Sequence, residues 1–177
     1  MGLLLHTERL SLRPLRPDDA PKLAAYRNDP VVARYQGWEL PYTVLDAEAL
    51  IAGMAGRVPG DEGWVQTGLE LSVSGALIGD VALNTSGKQA EIGVTLCTPA
   101  QGQGYAHEGL WALLTHAFGP LNLEQLRAEI DPRNLAVTRL LLLLGFRHTS
   151  ITYGTHQNRG EWTDNAVYTL RREEQLT

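Results

Sequence analysis

A single cysteine, Cys97, stands in 177 residues. One thiol excludes an internal disulfide framework and a cysteine-based zinc site, and it suits a reducing cytoplasm. Long apolar runs are missing too: a run such as Leu140–Leu144, which none exceeds, is far too short to span a bilayer. The start, Met1–His6, lacks the basic segment and the apolar length of a secretory signal, and His6 stands where a myristoylation motif needs Ser or Thr. Positive charge is in deficit. The net charge of −5 argues against broad nucleic-acid affinity and favours a cationic amine or a basic protein as partner. The expectation is a cytoplasmic protein with no metal site and neither nucleic acid nor membrane as partner. What is present is ordinary for a globular chain, 44% hydrophobic and 20% charged residues. The length suits one domain, residues 1–177, large enough to bury a core.

The stretch around which the chain is organised is Thr98–Ala106, T-P-A-Q-G-Q-G-Y-A. It lies between a run that alternates like a strand and a run with helical spacing. Gly102 and Gly104 permit a sharp turn and a close backbone approach. The helix that follows points its unpaired N-terminal amides and the positive end of its dipole at the same spot, which makes an anion site suited to phosphates. A Gly-x-Gly alone is equally well an ordinary turn. Two phosphate loops are excluded by spacing: the dinucleotide fingerprint needs glycine where His107 stands, and the P-loop needs a lysine the stretch lacks.

Around that stretch the pattern predicts an α/β protein without internal repeats. Arg9–Arg16 alternates as a first strand, placed at an edge by Pro14. A helix runs from Lys22 to Arg27 and ends at Asn28-Asp29-Pro30, and Val31–Pro41 has no assignable element. Thr43 caps a second helix from Val44 to Val58, with Leu45, Ala49 and Ala52 near one face. Strands follow at Val65–Val73, Ala76–Asn84 and Ala90–Cys97. In the third, Ala90, Ile92, Val94 and Leu96 share a face, and Gly93 marks a bulge that would splay the strand from its neighbour. A helix at Tyr105–Phe118 carries the stripe Ala106, Leu110, Leu113 and Ala117 and stops at Gly119-Pro120. Leu126–Ile130 is a strand, Arg133–Leu144 a helix closed by Gly145, and Phe146–Tyr153 with Ala166–Arg171 the last strand pair, joined by a polar connection. The strands on either side of the glycine loop and its helix should be parallel, joined by a right-handed crossover, with the ligand at their carboxyl ends.

Several separated pieces then resemble one family. Gln101-x-x-Gly104-x-Ala106 is similar to the pyrophosphate loop of the Gcn5-related N-acetyltransferases, the GNAT superfamily. Asp131-Pro132-x-Asn134-x-x-x-Thr138-Arg139 through Leu144-Gly145-Phe146 resembles the helix that follows in that superfamily. Thr7-Glu8-Arg9-Leu10-x-Leu12-Arg13, Ala90-Glu91-Ile92-Gly93, Glu108 and Trp162-x-Asp164-x-x-x-Tyr168 resemble its RimJ/RimL branch, which acetylates ribosomal-protein N-termini. The match covers nearly the whole chain, in order. It implies a mixed, mostly antiparallel sheet flanked by helices, whose central parallel strands splay apart to hold acetyl-CoA as cosubstrate. Pantetheine would run along Leu96, Cys97 and Thr98, pairing with main chain. The pyrophosphate would sit on the N–H groups of Gln101, Gly102, Gln103, Gly104, Tyr105 and Ala106. Asn134 would bond pantetheine or reach the reacting end; its other reading is a helix N-cap. The chain departs from the superfamily at Gln101, where many members carry arginine, and at Leu141, where many carry a tyrosine acid that the RimJ/RimL branch commonly lacks.

Acetyl transfer needs a neutral amine, a donor for the oxyanion and a proton for the thiolate. Delivering the neutral form at pH 7 costs about 1.4 kcal/mol for an α-amine and about 4.6 kcal/mol for lysine. A site without an obvious strong base leans towards α-amines. Glu91 is the first candidate base, acting through water; its alternative is an exposed strand carboxylate. Tyr35, Trp38 and His156 are candidates for the acceptor pocket, with Glu161 in the same late connection. Glu108 at a helix start is structural. Cys97 is a buried small residue rather than an acyl carrier. The resemblance implies an N-acetyltransferase acting on a protein N-terminus. The alternatives are a small amine, such as a polyamine or an aminocyclitol, and a non-catalytic acyl-CoA-binding module. Homodimers occur in the family.

Overall fold

The computed structural model describes residues 2–175; Met1, Leu176 and Thr177 lie outside them. Its strands are β1 (Leu5–His6), β2 (Leu10–Arg13), β3 (Gly63–Leu71), β4 (Leu77–Ser86), β5 (Gln89–Leu96), β6 (Gln125–Ile130), β7 (Arg147–Asn158) and β8 (Glu161–Arg171). They form one sheet in the order β1-β2-β3-β4-β5-β6-β8-β7. Only the β5–β6 pair among these is parallel. The helices are α1 (Ala20–Asn28), α2 (Pro30–Ala33), α3 (Val44–Met54), α4 (Tyr105–Phe118), α5 (Leu135–Leu143) and α6 (Arg172–Gln175). No helix among the described residues is long and apolar enough to cross a membrane.

The expected mixed sheet with flanking helices is the fold observed. Alternation puts Leu10, Leu12, Leu69, Val81, Leu83, Ile92, Leu126 and Ala128 on one face, all buried. Helix α4 packs there through Leu110, Leu113, Leu114, Ala117 and Phe118. Each of the large side chains contributes about 1.5–3 kcal/mol by burial. Gly109 sets the spacing: a Cβ at that position would lie 2.9 Å from the Leu69 side chain. On the other face, α1 lies over β2 and β4. There the buried Arg13 pairs with Asp19 at 2.8 Å, and Tyr26 donates to Asp80 at 2.6 Å.

Four expectations require correction. The first strand is interior, because Leu5–His6 adds an outer strand and Pro14 falls after the strand has ended. The helix capped by Thr43 stops at Met54, and it buries Ala47 and Ile51 while Leu45 is 74% exposed. Asp29-Pro30 is a start as well as a stop: Asp29 accepts from the Val31 N–H at 2.9 Å and Pro30 opens α2. The late polar connection is mostly strand. β7 and β8 form a long hairpin closed by Arg159-Gly160, both in the left-handed region, as a two-residue turn between right-twisted strands requires.

Candidate active site

The site begins where two strands part. β5 and β6 pair only at Gln89–Gln125, Ala90–Leu126 and Glu91–Arg127. Beyond those rungs β5 keeps its partner β4 in unbroken register as far as Gly79–Leu96, whereas β6 follows β8 as far as Ile130–Ala166. Each strand stays with its antiparallel neighbour, and a gap opens between them. The unbroken β4–β5 register also means that Gly93 is no bulge; the expected splay is present without one.

At the end of β5 the chain turns through a short 3₁₀ segment, Thr98–Ala100, into the glycine loop. Gly102 (φ 74°) and Gly104 (φ 83°) take left-handed backbone that a side chain would strain. No side chain caps α4, and the first intrahelical N–H bond runs from Glu108 to the Gly104 carbonyl at 3.0 Å. The helix mouth is therefore left to whatever enters the cleft.

The loop's own side chains brace it. Gln101 donates to the Leu96 carbonyl at 3.1 Å and Gln103 to the Pro99 carbonyl at 2.7 Å. Arg9 donates to the Gln103 carbonyl at 2.9 Å, and Thr98 donates to Asp29 at 2.6 Å, tying the loop to the cap of α2. Glu108 accepts from the Thr7 hydroxyl at 2.6 Å and the Arg9 N–H at 2.8 Å, and pairs with the Arg9 guanidinium at 2.6 Å. Burial pushes that carboxyl up, but these bonds outweigh it and hold Glu108 below its ordinary range.

A cleft of about 760 Å³ lies between this loop, α2 and α5. Leu96, Gln101, Gly102, Gly104, Tyr105, Ala106 and Asn134 line it, as the resemblance implies for acetyl-CoA, and Tyr35 does so as well. Cys97, Thr98 and Gln103 do not: Cys97 is in the core, and the other two are occupied with the braces just described. The Leu96 carbonyl already accepts from Gln101, so the edge of β5 free of a strand partner is the part from Ile92 onward.

A second space of about 90 Å³ lies in the gap itself. Its walls include Ile92, Val94 and Ala128 from the α4 face of the sheet, Gly93 and Glu129 from the opposite face, and Asp131 just past the end of β6. It therefore touches residues of both faces of the sheet. Tyr35, Gln36, Val94, Asn134 and Val137 line both spaces, which makes the gap and the cleft neighbours across one shared wall. Asn134 caps α5 by accepting from the Val137 N–H at 3.3 Å, while its amide nitrogen has no partner among the described residues.

The structure does not bring the remaining expected residues to these walls. Glu91 sits at the last paired rung. Burial, and then the nearby Glu129, push its carboxyl up, offset in part by Arg127. Trp38 donates to the Arg27 carbonyl at 2.9 Å and covers the Arg27 guanidinium, so it belongs to the α1 packing. His156 pairs with Thr163 on the exposed hairpin. That hairpin still reaches the site region through Arg159, which donates to the Ala33 and Trp38 carbonyls, and through Glu161, which meets Arg133 at 3.0 Å.

Residues not read from the sequence as lining a site are Pro30, Val31, Arg34 and Gln36 at and after α2, Glu129 at the end of β6, and Leu140 and Leu143 on α5; Asp131 and Arg139, which belong to the motif that carries the resemblance, line these walls as well. The Asp-Pro pair at 29–30, a common helix opening, was the available signal for α2. Asp131 is held below its ordinary range by hydrogen bonding to Arg133.

Comparison with known proteins agrees with this geometry. The acetyltransferase (GNAT) domain profile matches residues 9–147. The chain is 27% identical over 173 residues to the uncharacterized N-acetyltransferase p20 of Bacillus licheniformis, covering 96% of this chain and 97% of p20. Among solved structures it is similar to Mycobacterium smegmatis RimJ in complex with CoA-disulfide, at 22% identity and TM-score 0.82, covering 93% of this chain and 83% of that one. It is also similar to RimL, a ribosomal α-N-protein acetyltransferase in complex with coenzyme A, at 18% identity and TM-score 0.83, covering 96% and 98%. At those identities the structural likeness speaks for the fold; the profile spans most of the chain and decides the family. The chain belongs to the GNAT family of N-acetyltransferases.

Proposed function

We propose that this chain transfers the acetyl group of acetyl-CoA to the α-amine of a protein N-terminus. The observation that carries the reading is the continuity of the uncapped mouth of α4, the cleft and the gap between β5 and β6. A pyrophosphate on the α4 amides places the thioester end of a pantetheine arm along the unpaired edge of β5, at the shared wall. The acceptor then approaches from the opposite face, past Gly93 and Glu129. Its nitrogen attacks the thioester carbonyl, the C–N bond forms, the C–S bond breaks, and the sulfur leaves as thiolate to be protonated. Asn134 offers its unpartnered amide at that wall.

Glu91 stands one rung short of the gap, and its raised affinity for protons suits a base that takes the amine's proton through water. Glu91→Gln is expected to lower kcat at least tenfold and to flatten the acidic limb of the pH–rate profile, with the affinity for acetyl-CoA unchanged. An unaltered profile removes Glu91 as the base. RimL and RimJ among the structural neighbours, together with the low cost of neutralising an α-amine, favour a protein terminus as acceptor.

Thiol release followed over N-terminal peptides, polyamines and aminocyclitols tests the whole. Turnover confined to peptides supports the reading, and turnover confined to small amines replaces it with the second acceptor class. Coenzyme binding without release in any case leaves an acyl-CoA-binding module.

A further inference from the structure

Arg159 stands where its own backbone preference would not put it. It is the first residue of the two-residue turn between β7 and β8, at φ 45°, with Gly160 following at φ 83°. Such a turn favours Asn-Gly, and an arginine at its first position is strained. What holds the residue there lies outside the hairpin. Its guanidinium donates to the Ala33 carbonyl and, at 3.3 Å, to the Trp38 carbonyl. Those two carbonyls bracket the segment 34–37, in which Tyr35 and Gln36 line both the cleft and the gap. One guanidinium thus staples both ends of a piece of the site wall.

The staple also joins the two parts of the sheet. Segment 34–37 goes with β4 and β5: the Trp38 indole donates to the Arg27 carbonyl, Arg27 faces Asp80 on β4 at 3.8 Å, and Thr98 beyond β5 holds the cap of α2. The hairpin goes with β6, which pairs along β8 as far as Ile130–Ala166. Three rungs join β5 to β6 where the gap begins, and Arg159 ties the two banks beyond the end of β6. Next to the turn, Glu161 meets Arg133 at 3.0 Å, and Arg133 pairs with Asp131 on the β6 bank at 2.6 Å. The same Arg133 guanidinium lies over the Tyr35 ring at 5.9 Å. A gap tied at both ends has a fixed size. Its space of about 90 Å³ equals the volume of about three waters.

We propose that Arg159 is a positioning residue: it holds Tyr35 and Gln36 against the β6 bank and so sets how large a group beside the acceptor nitrogen the gap admits. The inference rests on the acetyl-transfer reading above.

The test compares the wild type with two variants. Arg159→Asn suits the left-handed turn but cannot reach the carbonyls, and Arg159→Lys can reach only one of them. Thiol release is followed with two acceptors that differ only in the group next to the amine, methyl or benzyl (for a protein terminus, peptides starting with alanine or phenylalanine). Amide hydrogen exchange is followed over residues 33–38. Arg159→Asn should raise exchange there and lower the preference for methyl over benzyl, measured in kcat/KM, roughly tenfold. Affinity for CoA should stay unchanged, since the mouth of α4 is untouched. Arg159→Lys should fall between the two. A preference that is absent from the wild type or equal in all three proteins overturns the proposal, as does unchanged exchange. Arg159 is exposed and Arg159→Asn keeps its turn, so the melting temperature should not fall; a lower one with equal losses for both acceptors makes the residue merely structural and also overturns it. A wild type that releases thiol with no amine refutes the acetyl-transfer reading itself, and is told apart because the exchange result reports the tie without turnover.

Discussion

Glu108 joins three elements with one carboxylate. It sits in the first turn of α4, accepts from Thr7 and Arg9 ahead of β2, and through Arg9 steadies the Gln103 carbonyl in the glycine loop. The same side chain thus serves the fold and the shape of the site. Its carboxyl is held below its ordinary value, so its contribution is fully present above the ordinary carboxylate range and is lost as pH falls through the lowered one. Glu108→Gln is expected to cost about 1–3 kcal/mol at neutral pH. The difference from wild type should shrink as the pH is lowered. Denaturant unfolding of both proteins across that range checks the sign; a gap that widens in acid contradicts it. Arg27 shows the opposite allocation of a charged residue. It packs against the rings of both Trp38 and Tyr42 and faces the buried Asp80 at 3.8 Å, so those aromatics serve packing, whereas Tyr35 lines the gap.

At the level of the element, α4 and the loop before it act as one unit. Gly104 is the N-cap at φ 83°, and a Cβ there would lie 3.3 Å from the Arg9 guanidinium. Gly104→Val should therefore strain the turn, displace Arg9 and weaken CoA at least tenfold, with a cost of order 1–3 kcal/mol in stability. Calorimetry and thermal melting measure the two effects separately, and unchanged affinity for CoA would show that the turn does not present its amides to the ligand. This unit was legible in the sequence to the residue. The period of 3.6 is clean from Leu110 to Ala117, and glycine bounds the run at both ends. The splay was expected from the resemblance and, on a local ground that fails, from a bulge at Gly93; its cause is each strand's loyalty to its outer neighbour, a long-range property. The β7–β8 hairpin escaped local reading for a different reason. Most of β7 is exposed on both faces, so no apolar alternation marks it. The walls supplied by Gln36 and Glu129 were hidden because nothing in their local sequence distinguishes a cleft residue from a solvated one.

Over the whole molecule, the sheet is two antiparallel parts, β1–β5 and β6–β8–β7, meeting at the rungs that end with Glu91–Arg127. A ligand held in the cleft touches β5 and the loop from the first part and α5 from the second. Binding should therefore stabilise the chain as a unit. At a hundredfold excess over Kd, CoA is expected to add about 2.7 kcal/mol and to raise Tm accordingly. Differential scanning fluorimetry with CoA, and with pantetheine at matched saturation, reads this directly. No shift with saturating CoA would place its binding outside the cleft.

The gap between the strands has a kinetic corollary. On the proposed reading, donor and acceptor enter by separate doors, and the lone thiol, Cys97, lies in the core and lines neither space. Turnover should then proceed through a ternary complex, giving intersecting rather than parallel double-reciprocal lines. Desulfo-CoA should compete with the donor alone, leaving the acceptor's doorway open.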